Sequence, residues 1–344
     1  MVSKSAVILA AGEGKRMKSQ YPKVLSRVLF EPMLDWVIDS ARACDVEEVC
    51  VVVGHGCDKV IEHLDERYTP GKIRTVFQEE RLGTGHAVMQ AEAFLRQNIE
   101  GHTLVLCGDA PFVDARTIRD SFTQHLADDA SVTVISARVV DPSGYGRIVR
   151  KGKGIQAIVE HKDATVDQRQ IDEINSGAFW FKTRDLIQVL GTLTNNNTQG
   201  EYYLTDAVSG LIGAGKTANA FIASNADVVL GANDRVGLHA INEIARNRII
   251  SEHMQNGVDF VCNDGIIITH NVKIGCDTMI LPGTVIRGDT VIESDCIIGP
   301  NAVLDDCFVG RGAHISHASC KNCSIEPEQS IGPYEQWVDG HKIK

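Results

Sequence analysis

Short runs of β-branched and aliphatic residues alternate with amphipathic stretches through the first two thirds of the chain. Residues 7–9, 49–53, 74–77, 103–106 and 132–136 predict strands. The helical spacing of apolar positions over 33–43, 84–95 and 115–127 predicts helices between them. Strand–helix–strand alternation builds a mainly parallel α/β sheet covered on both faces. Ligands of such a sheet bind beyond the carboxyl ends of its strands, which is where the loop after Leu9 falls. From Gly144 to Phe181 the helical spacing fades, and 145–149, 155–159 and 178–181 read as strands of an insertion packed on the sheet edge, a wall or lid for a second substrate. A helix over 205–213 and a strand over 218–222 close this domain.

Residues 235–255 carry apolar side chains at Leu238, Ile241, Ile244, Ala245, Ile249 and Ile250, one face of a helix long enough to serve as a linker. Beyond it the period changes. Met279, Val285, Val291, Ile297, Val303, Val309 and Ile315 recur every six residues, with glycines between them. A sustained six-residue period marks a hexapeptide parallel β-helix, whereas a meander would follow a period of two with irregular turns. The expected division is therefore a domain over 1–234, a linker helix over 235–256 and a hexapeptide β-helix over 257–344.

The loop after the first strand reads Leu9-Ala10-Ala11-Gly12-Glu13-Gly14-Lys15-Arg16-Met17, followed by Pro22-Lys23. Glycines let backbone N–H groups approach phosphate oxygens and the cations neutralise what is bound, so the stretch is a candidate anion cradle. It is not a P-loop, because Gly-x-x-x-x-Gly-Lys-Ser/Thr does not occur, and Met17 stands where a dinucleotide fingerprint has its third glycine. Alone, the glycines also suit a plain structural turn. Read with Arg16, Met17 and Pro22-Lys23, the stretch resembles the signature of the sugar-1-phosphate nucleotidyltransferases.

Composition narrows the setting. At 344 residues the chain exceeds the usual single core. A net charge of -11 without a long Lys/Arg run argues against a nucleic-acid surface, so the phosphate site is local. No apolar run approaches the length of a membrane span and the N-terminal run lacks a signal-peptide pattern, so the expected location is cytoplasmic. The ten cysteines lie in apolar stretches, as reduced buried thiols do. Cys320 and Cys323, with Cys307 and His317 nearby, leave open a zinc site against packed thiols.

Further motifs extend the resemblance. Gln78-Glu79-Glu80-Arg81-Leu82-Gly83-Thr84 holds an amide that offers a donor and an acceptor to a uracil edge, with Thr84 also suited to cap a helix. Together with Leu106-Cys107-Gly108-Asp109-Ala110-Pro111, Gly144-Tyr145-Gly146-Arg147, Val159-Glu160-His161-Lys162, Glu173-Ile174-Asn175-Ser176-Gly177 and 195–206, it is similar to the bacterial bifunctional N-acetylglucosamine-1-phosphate uridylyltransferases/glucosamine-1-phosphate acetyltransferases. The resemblance spans residues 5 to about 335.

It implies a Rossmann-like nucleotidyltransferase domain before a left-handed β-helix, and transfer of UMP from UTP to N-acetylglucosamine 1-phosphate, giving UDP-N-acetylglucosamine and pyrophosphate for cell-wall precursors. By the same resemblance Arg16 and Lys23 are the catalytic cations. Leu9, Ala10, Ala11, Gly12, Gln78, Gly83, Thr84, Cys107, Gly108 and Asn233 bind substrate, and Gly146, Glu160 and Asn175 hold the amino-sugar. Asp109 and Asn233 hold Mg²⁺, and the assembly is a homotrimer.

Departures are visible as well. Cys107 stands where some relatives carry Tyr, and Phe112 replaces the usual Leu. Relatives continue their β-helix beyond the point matching Lys344 and carry the acetyltransferase residues there, so that activity is expected to be absent and His341 reads as a tail residue. Competing readings are another donor pair, dTTP or ATP with glucose 1-phosphate, and a non-catalytic regulatory or assembly subunit.

Overall fold

The computed structural model describes residues 2–152 and 154–343; Met1 and Lys344, which bound the expected domains, lie outside the described residues. Two compact units are formed. One comprises the chain up to Ser26 with Pro32–Leu238, the other Arg27–Glu31 with the chain from His239 onward.

The strands of the first unit are β1 (Lys4–Ala10), β2 (Glu48–Val53), β3 (Ile73–Phe77), β4 (His102–Cys107), β5 (Val132–Arg138), β6 (Arg147–Lys151), β7 (Gly154–Val159), β8 (Glu173–Lys182) and β9 (Ala218–Ile222). They make one nine-stranded sheet in the order β9-β5-β8-β4-β1-β2-β3, with β6 pairing β8 and β7 pairing β6. Pairs along this path are parallel except at β8, which runs antiparallel to both β4 and β5. Helices α1 (Met33–Arg42), α2 (Cys57–Arg67), α3 (Thr84–Gln90), α4 (Glu92–Gln97), α5 (Ala115–Ala127), α6 (Thr183–Leu190) and α7 (Leu204–Gly213) complete it.

Alternation along the strands feeds two cores. Ala6, Ile8, Val51, Leu104 and Leu106 pack with Leu34 and Ile38 of α1, Leu64 of α2 and Ile118 of α5. Val7, Cys50, Val52 and Val105 face the opposite way, onto Val88 of α3, Leu95 of α4, Leu186 of α6 and Val208 of α7. Both faces being covered, the central strands β1, β2 and β4 are apolar through most of their length rather than alternating, which is why they stand out in the sequence.

Three expectations need correction. Residues 178–181 are not part of an edge insertion: β8 lies inside the sheet, where Phe179, Trp180 and Phe181 are buried between β4 and β5. Only the β6–β7 hairpin branches off, and its first strand starts at Arg147 rather than Tyr145. The helix expected over 84–95 is two helices, because buried Ala91 leaves helical geometry and its N–H turns to the Val88 carbonyl at 3.0 Å.

Helix α8 (Arg235–Gln255) begins in the first unit, where Asp234 caps its first turn by accepting from the Gly237 N–H at 2.8 Å, and its residues from His239 onward belong to the second unit. Beyond α8, two- and three-residue strands stack in parallel as three sheets, except for the last, His341–Ile343, which runs antiparallel to Gln336–Val338. The inward row is Ile280, Ile286, Ile292, Ile298, Leu304, Val309 and Ile315, all at most 2% exposed. The six-residue series is therefore not one inward row: Met279, Val285, Val291, Ile297 and Val303 sit beside it, half-buried or exposed, and only Val309 and Ile315 point in. The cause is a five-residue step from Leu304 to Val309. Val285 pairs with Val303 eighteen positions on, whereas Val303 pairs with Ser319 sixteen positions on, so the coil shortens part-way.

Cys307, Cys320 and Cys323 are buried in this coil, Cys307 donating its S–H to the Cys320 carbonyl at 3.3 Å. Burial pushes the Cys320 thiol up to about 12, with neighbouring Cys307 adding to the rise. These are packed thiols, and no cluster of three or more His, Cys, Asp or Glu able to hold a metal occurs among the described residues.

In the first unit, His125 is wholly buried, its Nε2 2.9 Å from His102 Nδ1 and its Nδ1 2.9 Å from the Thr133 hydroxyl. Burial, aided by His102, drives its pKa down to about 3. The unfolded chain therefore takes up a proton that the folded one refuses. Folding stability is expected to fall by about 1.4 kcal/mol per pH unit below the ordinary histidine range and down toward pH 3. Urea unfolding of the chain and of His125→Gln across this range checks it; parallel profiles would refute the assignment.

Candidate active site

Three adjacent parallel strands end on one side of the sheet. β1 stops at Ala10 with β4 on one flank and β2 on the other, Leu9 lying level with Cys107 and Ala10 with Val53. The chain moves outward from β1 to β3 and then returns to β4, so strand order reverses beside β1. Loops diverge there and leave a crevice. The resulting cleft, about 420 Å³, is lined by Leu9, Ala11, Gly12, Gly14, Lys15, Arg16, Lys23, Gln78, Arg81, Gly83, Thr84, Cys107, Asp109, Glu201 and Asn233, with Val24 and Ala87.

Cations and oxygens meet at its floor. The Lys23 ammonium contacts the Asp109 carboxylate and donates to Asn233 Oδ1 at 2.9 Å, while Arg16 Nη2 donates to the same oxygen at 3.0 Å. Lys23 is only 12% exposed, so its charge is poorly screened and needs these partners. Gly14 makes the approach feasible. At φ +63°, a Cβ there would stand 2.7 Å from Lys23 Cβ. Beside them Cys107 keeps its proton: burial and the Asp109 charge push its thiol up to about 12, and its Sγ lies 3.7 Å from the Gly177 carbonyl.

The loop after β3 forms a second wall. Gln78 is buried, with Nε2 3.3 Å from the Gly83 carbonyl and 3.1 Å from His86 Nδ1. Gly83 precedes α3 at φ +105°, and the chain zips onto the segment before α7: Tyr202 N–H donates to Leu82 O and Gly85 N–H to Tyr202 O, both at 2.7 Å. Thr84 is not the cap of α3. It is the first helical residue, and its hydroxyl accepts from the Leu204 N–H at 3.1 Å, serving the start of α7.

A further polar group forms around β6 and β8. A register shift between Asn175 and Ala178 interrupts the β8–β5 ladder, the means by which a sheet re-aims a side chain. Asn175 N–H then donates to the Gly146 carbonyl at 2.9 Å, and Gly146, lacking a Cβ, leaves room for the Glu160 carboxylate. Burial raises the Glu160 pKa, and a 3.1 Å hydrogen bond from the Thr205 hydroxyl opposes the rise. Gly177 touches Cys107, joining this group to the cleft wall.

Of the sequence-predicted residues, Leu9, Ala11, Gly12, Arg16, Lys23, Gln78, Gly83, Thr84, Cys107, Asp109 and Asn233 line the cleft. Gly146, Glu160 and Asn175 form the neighbouring group. Ala10 and Gly108 are buried, Gly108 N–H bonding the Leu9 carbonyl at 2.9 Å, so they brace the floor rather than line it. Lys15, counted in the sequence only among the cations of the anion cradle, also lines the cleft, as do Arg81 and Glu201, to which sequence reasoning gave no role. Their signal, charged residues inside motifs already singled out, was present.

Residues 6–170 match the model of the MobA-like NTP transferase domain, and 271–306 that of the bacterial transferase hexapeptide, six repeats. The second match stops where the five-residue step begins. A solved structure from Bacillus anthracis, provisionally assigned as a glucose-1-phosphate thymidylyltransferase, aligns with TM-score 0.58 at 19% identity over 71% of this chain and 96% of that one, a likeness of fold alone. Cleft, strand order and family model together define a nucleotidyltransferase carrying a hexapeptide β-helix.

The particular family follows from closer relatives. The bifunctional protein GlmU of Geobacillus sp. strain WCH70 is 43% identical over all of this chain and 74% of its own length. That of Acetivibrio thermocellus is 43% identical over 96% of this chain and 70% of its own. The chain belongs to the GlmU family.

Gly83 allows one check of the cleft geometry. A Cβ at that φ would meet the Tyr202 carbonyl at 2.7 Å, so Gly83→Ala is expected to lower stability by more than about 1 kcal/mol. Denaturant midpoints measure this, and an unchanged midpoint would show that the loop has room to relax.

Proposed function

We propose that this chain makes UDP-N-acetylglucosamine and pyrophosphate from UTP and N-acetylglucosamine 1-phosphate, for cell-wall precursor synthesis in the cytoplasm. The observation that carries the proposal is the convergence of Lys23, Arg16, Asp109 and Asn233 at the floor of the cleft, beside the group of Gly146, Glu160 and Asn175. Residues 1–234 are assigned the chemistry, 235–256 the linker and 257–344 the β-helix, on which a homotrimer would assemble.

Gln78 and the backbone at Gly83 suit a uracil edge, one offering an amide and the other an unobstructed main chain. Glu160 and Asn175 suit sugar hydroxyl and N-acetyl groups. With both substrates seated, a phosphate oxygen of the sugar phosphate attacks the α-phosphorus of UTP in line, a P–O bond forms, and the bond to the leaving pyrophosphate breaks. Arg16 and Lys23 hold and neutralise the crowded phosphate oxygens, so positioning and electrostatics supply the acceleration and no covalent enzyme intermediate is required.

Asp109 and Asn233 fit a magnesium site. Their two oxygens already share one cation, the Lys23 ammonium, and magnesium is ordinarily held by one or two carboxylates together with substrate phosphates. When bound, the ion supplies neutralisation of the phosphate charge.

Asp109→Ala and Lys23→Ala are each expected to cut pyrophosphate release from UTP on the order of 10²- to 10³-fold. Near-normal rates would sink the assignment, and running UTP, dTTP and ATP against N-acetylglucosamine 1-phosphate and glucose 1-phosphate decides the donor pair. Glu160 gives a second check. Its raised pKa means that it protonates, and ceases to be a pure acceptor, sooner than an ordinary carboxylate as pH falls. KM for the sugar phosphate should rise as pH drops through the mildly acid range, and Glu160→Gln should keep a high KM with only the substrate's own titration left. Identical pH profiles would remove Glu160 from sugar binding.

A further inference from the structure

Two tiers of positive charge line the cleft. The inner cations, Lys23 and Arg16, are engaged by Asp109 and Asn233. The outer cations, Lys15 and Arg81, have a different partner: both lie on one oxygen of Glu13, Arg81 Nη1 at 2.6 Å and Lys15 Nζ at 3.3 Å from Oε2. Glu13 and Lys15 belong to the loop after β1, while Arg81 belongs to the loop after β3, sixty-eight residues away in sequence. The contact therefore ties the two walls of the cleft together.

Exposure shows that this tie is exchangeable. Arg81 is 46% exposed, Lys15 78% and Glu13 31%. An ion pair so open to water contributes little to stability, and a single carboxylate shared by two cations leaves a net positive charge at the cleft mouth. A phosphate chain offers more acceptor oxygens and more charge than Glu13, and the guanidinium fork of Arg81 fits it in bidentate fashion.

We propose that Glu13 is a built-in counter-ion that holds Arg81 and Lys15 in place and releases them to the β- and γ-phosphates of the incoming nucleoside triphosphate, making both of them phosphate-binding residues of this site. The proposal rests on the reading of the cleft as a triphosphate site. It separates the inner tier, which acts at the reacting phosphorus, from an outer tier, which captures the tail that leaves as pyrophosphate. Glu13 then sets a balance. It weakens the grip on the tail, so that pyrophosphate departs.

Calorimetry on the full chain with magnesium present, using UTP, UMP and inorganic pyrophosphate as probes, tests this. Arg81→Ala is expected to weaken UTP and pyrophosphate roughly three- to tenfold and leave UMP within about twofold. Glu13→Gln is expected to do the reverse, tightening UTP and pyrophosphate about two- to fivefold without moving UMP. An Arg81→Ala variant that binds pyrophosphate as the parent does, or that loses UMP as much as UTP, overturns the proposal, and so does a Glu13→Gln variant that binds pyrophosphate more weakly. A parent chain that binds pyrophosphate but not UTP would instead refute the choice of donor, with the pyrophosphate measurements still deciding the role of Arg81 and Glu13. Binding of neither probe would refute both.

Discussion

One ammonium group organises the site. Lys23 reaches Asp109 and Asn233 at once, and so fastens together three stretches that lie far apart in sequence: the loop after β1, the end of β4 and the segment leading into α8. At 12% exposure the charge cannot be left without partners, so the two oxygens are obliged to converge wherever the lysine goes. That obligation gives the cleft a fixed floor before any substrate arrives. The glycine at position 14 is part of the same constraint, since a side chain there would collide with the lysine stem.

Much of the fold could be read directly because burial on both faces makes strands conspicuous. Residues 115–127, 218–222 and 235–255 have the expected bounds, their apolar spacing being undisturbed by function. Long-range order was less legible. Nothing local in Phe179-Trp180-Phe181 says that β8 inserts between β4 and β5 with reversed direction, because neighbours in a sheet are chosen by the whole chain. Helix α2 went unread because only Val60 and Leu64 of its residues are buried, and α6 went unread as well. In the coil, the six-residue period is real up to Leu304. A five-residue side then moves the inward position without breaking the aliphatic pattern, which is why the series kept its count and lost its phase.

The site divides in the same way. Gly12, Arg16, Gln78 and Gly83 were visible as motif residues, whereas assigning Lys23, Asp109 and Asn233 to one centre required the family resemblance, since their spacing in sequence carries no pattern. The Glu13–Arg81 pair was invisible for a related reason. Two opposite charges sixty-eight residues apart look like ordinary surface residues until the strands that carry their loops are set side by side. Thr84 shows the converse, a residue whose side chain suits one helix start and serves another.

The first turn of α7 has a double attachment. Leu204 gives its N–H to Thr84 on the cleft wall, and the next residue, Thr205, gives its hydroxyl to Glu160 in the neighbouring polar group. The cleft wall and the polar group beside it are thus fastened to adjacent residues of one helix start. A substitution that displaces one of the two attachments would be transmitted to the other through that turn, so paired substitutions on both sides of it are the natural unit of change.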